Sequence, residues 1–183
     1  MANSATVEMG AKEVIKPSST VELEAPSPVD SNAVMLEASL EMPFSPKVAY
    51  EAFSNFSRHG DWNSGVSGVE YVDPSKRPGV ARWTMEAFGG LKIEWDTVPT
   101  ALEPNKMIAW KSIKGMQLEG QAHFTAIADG QRTLMLLTSS YVVPRFVRRF
   151  FGRSNKGKRE NHQVKDVLEQ FRKVVSEEQA ALN

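Results

Sequence analysis

The stretch from Val164 to Val175 constrains the fold more than any other part of the sequence. Its apolar residues fall at positions i, i+3, i+4, i+7, i+10 and i+11, which is one face of an α-helix. These residues are Val164, Val167, Leu168, Phe171, Val174 and Val175. Glu169 lies four residues before Lys173 on the polar face, a spacing that supports a helix. Such a helix needs an apolar surface to pack on.

Most of the chain between residues 33 and 143 predicts that surface as an antiparallel sheet. Apolar and polar residues alternate in seven segments, as expected for strands with one wet face. The segments are 33–42, 66–72, 80–88, 91–98, 107–113, 118–128 and 133–143. Gly89-Gly90 and Asp129-Gly130 predict hairpin turns.

The fourth of these segments shows the expected alternation clearly. Leu91, Ile93 and Trp95 fall on the inner face, whereas Lys92, Glu94 and Asp96 fall on the wet face. Pro99 and Pro104 are expected to bracket the loop that follows.

Two short helical elements are predicted after the first strand. Ser45 is a typical N-cap and Pro46 suits the first helical position. The inward stripe of this helix is Val48, Ala49, Ala52, Phe53 and Phe56. A second short helix or turn is expected around His59–Trp62. Strands covered on one face by helices indicate an α+β fold.

Composition limits the classes of function. Residues 1–32 lack a period and contain two Lys against five acids, so we interpret them as a disordered tail before a domain at 33–180. The 22 basic residues balance the 22 acidic ones, and no nucleic-acid partner is expected. The absence of cysteine excludes thiolate chemistry, and three scattered histidines make a metal centre unexpected. No apolar run is long enough to span a membrane.

Several stretches resemble one protein family. They are Val34–Tyr50, Asp61-Trp62, Ala81–Thr84, Ile108–Ser112, Gly120–Phe124 and Ser140–Pro144. In this order and spacing they resemble the polyketide cyclase/dehydrase and lipid-transport family of START-like, helix-grip proteins, in its small cyanobacterial and plastid form. The superfamily also includes coenzyme Q-binding proteins. The resemblance implies a curved seven-stranded sheet around the C-terminal helix, a ligand cavity between them, and plastid residence.

Large side chains on the inner positions suggest what such a cavity would bind. They are Trp83, Met85, Trp95, Trp110, Phe124, Met135, Tyr141 and Phe171. These residues can simply fill a core, but an indole N–H needs a hydrogen-bond partner and Met provides an adaptable lining. Thr97, Ser139 and Tyr141 can orient a ligand. The pattern favours a monomeric carrier of a lipid, quinone, polyketide or isoprenoid, with no cofactor.

Catalysis is the alternative hypothesis. His59 and Asp61 are close in sequence, in a region that the resemblance places at the pocket mouth, and with Tyr141 they can act on a hydroxyl or enol. A capped turn explains the same two residues. The sequence shows no serine triad order and no phosphate loop, so we assign no catalytic residue and prefer a binding protein to a cyclase or dehydratase.

A basic-aromatic segment precedes the last helix. From Arg145 to Arg159 it carries seven basic residues and no acid. We expect its first residues to gate the pocket or contact an anionic membrane, namely Arg145, Phe146, Arg148, Arg149 and Phe150. There are two other interpretations. The phenylalanines of the segment can complete the core, or the segment can form a patch for nucleic acid or another anionic partner. A polar break is expected at residues 154–158.

Overall fold

The computed structural model describes residues 33–87, 90–142 and 156–182. The strands are β1 (Ala33–Met42), β2 (Gly68–Tyr71), β3 (Ala81–Ala87), β4 (Leu91–Glu103), β5 (Met107–Gly115), β6 (Leu118–Ile127) and β7 (Arg132–Val142). The helices are α1 (Pro46–Ser54), a 3-10 helix (Phe56–Asp61) and α2 (Lys156–Ala181). The α+β class is confirmed, as are the seven strands, the two short helical elements after β1 and the long last helix.

The strands form one antiparallel sheet in the order β1-β7-β6-β5-β4-β3-β2. Strands β2 to β7 each pair with their neighbour in the chain, because short turns join them. Strand β1 pairs with β7 instead, from Ala33 opposite Val142 to Met42 opposite Thr133. The connection from β1 to β2 therefore crosses the whole sheet, and it carries α1 and the 3-10 helix across one face.

The helices carry the capping residues and the apolar stripe that the sequence predicts. The Ser45 hydroxyl accepts a hydrogen bond from the Val48 amide at 3.4 Å, as expected for an N-cap, and Pro46 opens the helix. In α2 the predicted stripe is confirmed, since Val164, Leu168, Phe171 and Val175 are buried. Helix α2 packs this stripe against the β1 side of the sheet.

Two expectations for the last helix are wrong. The last three residues of the polar break expected at 154–158 are helical instead, because α2 begins at Lys156 and continues through Gly157, and the first two lie outside the described residues. Glu169 does not pair with Lys173, because its carboxylate lies 3.7 Å from the ammonium of Lys165, one turn earlier. Both spacings are i,i+4, and the helix uses the first. Lys173 is left without its expected partner.

Strand β4 departs most from its prediction. It does not end before a loop at Pro99 but continues to Glu103, with register shifts between Asp96 and Thr97 and between Pro99 and Ala101. Proline cannot donate a ladder hydrogen bond, and a bulge tolerates this loss. Leu91, predicted on the inner face, is exposed.

The alternation rule also fails for Asp96. It predicts the wet face for this residue, but the exposed fraction of Asp96 is 1%. Arg82, its cross-strand neighbour on β3, covers it with two hydrogen bonds. The Nε and Nη2 atoms of Arg82 donate to the two carboxylate oxygens of Asp96 at 2.8 and 3.1 Å. This bidentate pair lowers the pKa of Asp96 below its ordinary value. A paired carboxylate can therefore remain charged while buried.

The Trp110 side chain of β5 packs against β6 at a position where only glycine fits, Gly120. Gly120 is the register partner of Trp110, and a Cβ atom there would lie 2.5 Å from Cζ2 and 2.8 Å from Cε2 of the indole. The missing side chain therefore lets the Trp110 ring lie flat over β6.

Replacing Gly120 by alanine should force that indole to move. We expect the free energy of unfolding in urea to fall by about 1–3 kcal/mol. Gly68→Ala in β2 is the matched control, because a Cβ there meets nothing within 4 Å. Equal unfolding free energies for the two variants would contradict the close packing of Trp110 on Gly120.

Candidate functional site

A cluster of aromatic rings lies between the sheet, α1 and α2. Phe53 of α1 lies at its centre, and its ring centroid is 6.0 Å from that of Trp110, 6.0 Å from Phe124 and 5.6 Å from Phe171. The partners come from β5, β6 and α2 respectively. One side chain thus joins both helices to the sheet.

A second part of the cluster lies over β3 and β4. Trp83 and Trp95 are register partners whose rings stack in parallel at 6.2 Å, with 10° between their planes. Phe56 of the 3-10 helix covers this pair, with its ring 5.9 Å from Trp83 and 6.4 Å from Trp110. The stacked indoles are therefore enclosed by the 3-10 helix on one side.

The structure brings seven of the eight predicted lining residues into this cluster. Trp83, Trp95, Phe124, Met135 and Phe171 are buried in it, and the half-buried Met85 and Trp110 pack against it. Tyr141 lies outside the cluster, on β7 between Val34 and Leu118. Tyr50 of α1 instead contributes a ring, 5.8 Å from Phe124, and burial raises the pKa of its hydroxyl.

Two of the three predicted polar groups are already bonded within the protein. The buried Thr97 accepts a hydrogen bond from the indole N–H of Trp83, with 2.7 Å between Nε1 and Oγ1. The Ser139 hydroxyl donates to the carbonyl of Glu119 at 3.1 Å. Thr97 therefore keeps its O–H donor for a ligand, and Ser139 keeps only its oxygen as an acceptor.

Two indole N–H groups have no such partner. The Nε1 atoms of Trp62 and Trp95 are buried and form no hydrogen bond with any residue that the structure describes. The exposed fractions of these side chains are 2% and 5%. A buried donor without a partner costs about 1–3 kcal/mol. Each is thus a donor available to an oxygen atom that enters the cluster.

His59 is a core residue and does not rim a pocket mouth, so the family-based expectation is wrong. Its exposed fraction is 5%, and its Nε2 lies 2.8 Å from the carbonyl of Phe53. A carbonyl only accepts, so Nε2 carries the proton of a neutral imidazole. The rings of Phe53, Phe56, Trp62 and Trp83 surround it at 4.5–5.4 Å.

Asp61 does not orient His59. Its carboxylate accepts from Nε of Arg58 at 3.2 Å, and the guanidinium of Arg58 also binds the Glu178 carboxylate of α2. Arg58 further lies over the Trp62 ring, 5.4 Å from its centroid. The carboxylate predicted as half of an acid-base pair therefore helps to fasten the 3-10 helix to α2. Tyr141, on β7, is four strands away from the Trp83 that contacts His59.

Sequence reasoning assigned Phe53 and Phe56 to packing and gave no role in the site to Tyr50 or Trp62. The signal for both was the inward stripe predicted after Ser45, which must face the same sheet positions as the predicted lining, although α1 ends at Ser54 and Phe56 belongs to the 3-10 helix. The burial of His59 had no comparable signal, because it lies in a short 3-10 turn. The predicted gate residues Arg145, Phe146, Arg148, Arg149 and Phe150 lie outside the described residues.

Burial of His59 makes stability depend on pH. Desolvation lowers its pKa from the ordinary 6.5 to about 4. As pH falls below 6.5, His59 becomes protonated in the unfolded state but stays neutral in the folded state. Its contribution to the free energy of unfolding is therefore fully present above pH 6.5 and is lost as pH falls towards 4. Because one pKa unit corresponds to about 1.4 kcal/mol, protonation of His59 should lower the free energy of unfolding by ~3 kcal/mol.

His59→Gln should therefore flatten the pH dependence of the unfolding free energy between pH 6.5 and 4, whatever its effect at pH 7. Urea unfolding at several pH values measures this difference. His162→Gln removes an exposed imidazole and is the control, for which the wild-type pH dependence is expected. A wild-type pH dependence in His59→Gln would refute the assignment.

Comparison with solved structures gives the same fold at low sequence identity. A START superfamily protein from Mycobacterium smegmatis is 17% identical, with a TM-score of 0.56 over 81% of this chain and 99% of that one. A protein from Thermus thermophilus is 20% identical, with a TM-score of 0.60 over 78% and 97%. The Zhui aromatase/cyclase from Streptomyces sp. R1128 is 16% identical, with a TM-score of 0.51 over 79% and 88%.

Sequence comparison identifies the family. No curated protein matches the chain in a sequence search. A family model described as polyketide cyclase/dehydrase and lipid transport matches residues 42–163, more than half of the chain. No helix in the described part of the chain is long and apolar enough to cross a membrane. The chain therefore belongs to the polyketide cyclase/dehydrase and lipid-transport family, and its fold is START-like.

Proposed function

We propose that the chain binds a hydrophobic small molecule that carries an oxygen acceptor, such as a quinone, a polyketide, an isoprenoid or a lipid. The ligand lies against the stacked Trp83 and Trp95. The observation that carries this proposal is the unpartnered indole N–H of Trp95, a buried donor within a largely apolar cluster. A ligand carbonyl or hydroxyl oxygen there would accept its hydrogen bond and remove the cost of leaving it unmade.

The surroundings of Trp95 support this location. Trp83 presents a flat apolar surface, and its own N–H is satisfied by Thr97. Met85 and Trp110 pack against the same cluster and are only half-buried, so part of each side chain is open to solvent. Stacked indoles suit a flat or unsaturated molecule, and methionine adapts to irregular apolar chains. The family description, which includes lipid transport, agrees with such a ligand.

The described geometry does not favour a cyclase or dehydratase built on His59, Asp61 and Tyr141. The Nε2–H of His59 donates a hydrogen bond to a backbone carbonyl, and the carboxylate of Asp61 binds Arg58. Burial also lowers the pKa of His59, which makes its imidazole a weak base. Membrane contact or gating by the Arg145–Arg159 segment, and residence in plastids, remain predictions from the sequence.

Purified protein provides the first test. Native mass spectrometry after gentle purification should detect a bound hydrophobic molecule, or uptake of a short-chain benzoquinone added at known concentration. Failure to retain or take up any quinone, prenol, polyketide or fatty acid would overturn the proposal.

Trp95→Phe tests the role of the indole N–H. This variant keeps an aromatic ring but loses the donor, so we expect the Kd for the benzoquinone to rise about tenfold. Fluorescence or calorimetric titration measures the change. The matched control is Trp83→Phe combined with Thr97→Val, which truncates the neighbouring indole and removes both members of a satisfied hydrogen bond. An equal loss of affinity in both variants would show that packing, and not the Trp95 donor, determines binding.

A further inference from the structure

A second candidate site lies on the surface, beside the contact between α2 and β1. It is a groove of about 390 Å³ lined by Glu41, Pro43, Arg132, Arg172, Lys173 and Ser176. The end of β1, the start of β7 and the second half of α2 therefore form its walls. Its size falls near the lower end of the range for small-molecule sites, about 300–1,000 Å³.

The charges in the groove do not balance. Of its three cations, only Arg132 forms an ion pair, with Glu41 across the β1–β7 edge. Arg172 and Lys173 form no ion pair with any residue that the structure describes. The acid expected to neutralise Lys173, Glu169, is bound to Lys165. Two cations at adjacent positions of one helix are therefore without an ion-pair partner among the described residues.

The hydroxyl group beside these cations is already engaged within the helix. Ser176 donates its hydroxyl proton to the backbone carbonyl of Arg172 at 2.6 Å, so the hydroxyl is committed. Arg172 is half-buried, which restricts the directions that its guanidinium can take, whereas Lys173 is exposed. A guanidinium donates two parallel hydrogen bonds to an oxyanion, and an ammonium adds a mobile point charge.

From these observations we propose that the groove binds a phosphate monoester group through Arg172 and Lys173. A phosphate dianion matches the charge of these two cations, whereas a carboxylate would neutralise only one of them. The phosphate can belong to a phosphorylated small molecule or to the headgroup of a lipid. This site is separate from the aromatic cluster and does not depend on the hydrophobic ligand.

Amide NMR titration with inorganic phosphate, at constant ionic strength, tests the proposal. We expect saturable shifts at Arg172, Lys173 and Ser176, and a Kd that rises at least about tenfold in the double variant Arg172→Gln, Lys173→Gln. The control is Lys47→Gln, Lys76→Gln. It removes the same net charge at exposed lysines that are paired with Glu51 and Asp73, and it should bind as the wild type does.

Flotation with vesicles of phosphatidic acid in phosphatidylcholine distinguishes the two sources of phosphate. Flotation that the groove variant loses and the control retains assigns the site to a lipid headgroup. Saturable binding of free phosphate without groove-dependent flotation assigns it to a soluble phosphate compound. Matching amide spectra establish that each variant is folded. The proposal is overturned if neither probe binds, or if the groove variant binds both probes as the control does.

Discussion

The packing of Phe53 is the contact on which the rest of the structure depends. Its ring touches aromatic residues of β5, β6 and α2, and its backbone carbonyl holds the imidazole of His59 in the 3-10 helix. The connection from β1 to β2 has to cross the sheet, and Phe53 fixes where it does so. Burial of these rings provides most of the stabilisation here, because apolar area removed from water contributes about 25 cal/mol per Å².

Polar contacts hold the elements around this apolar centre together and determine which hydrogen-bond donors are left for a ligand. Arg58 fastens the 3-10 helix to α2 at the surface, and Arg82 allows a buried carboxylate to remain charged at a bulge in β4. Inside the cluster, the indole of Trp83 is satisfied by Thr97, whereas that of Trp95 is not. The two stacked rings are therefore chemically different. That difference is the basis for proposing a ligand oxygen at Trp95 and for treating Trp83 as a flat apolar surface.

Periodicity predicted the parts of the fold in which burial follows local pattern. The α2 stripe, the alternation in β1 and the N-cap of α1 are examples, and seven of the eight proposed lining residues share one cluster. Alternation failed at Asp96, because a cross-strand arginine and a register shift can bury a carboxylate, and at Pro99, where a bulge accommodates the missing N–H. The site at His59 was misjudged because a 3-10 turn has no periodic signal that shows which way a side chain points.

The central claim is that the Trp95 indole donates to an oxygen of a bound hydrophobic molecule. The indole ¹H–¹⁵N resonance of Trp95, assigned with Trp95→Phe, reports on that bond directly. On saturation with a short-chain benzoquinone this proton should move downfield, as a new hydrogen bond requires, while the Trp83 indole proton, already bonded to Thr97, should move much less. Saturable binding that leaves the Trp95 indole resonance in place would contradict the account.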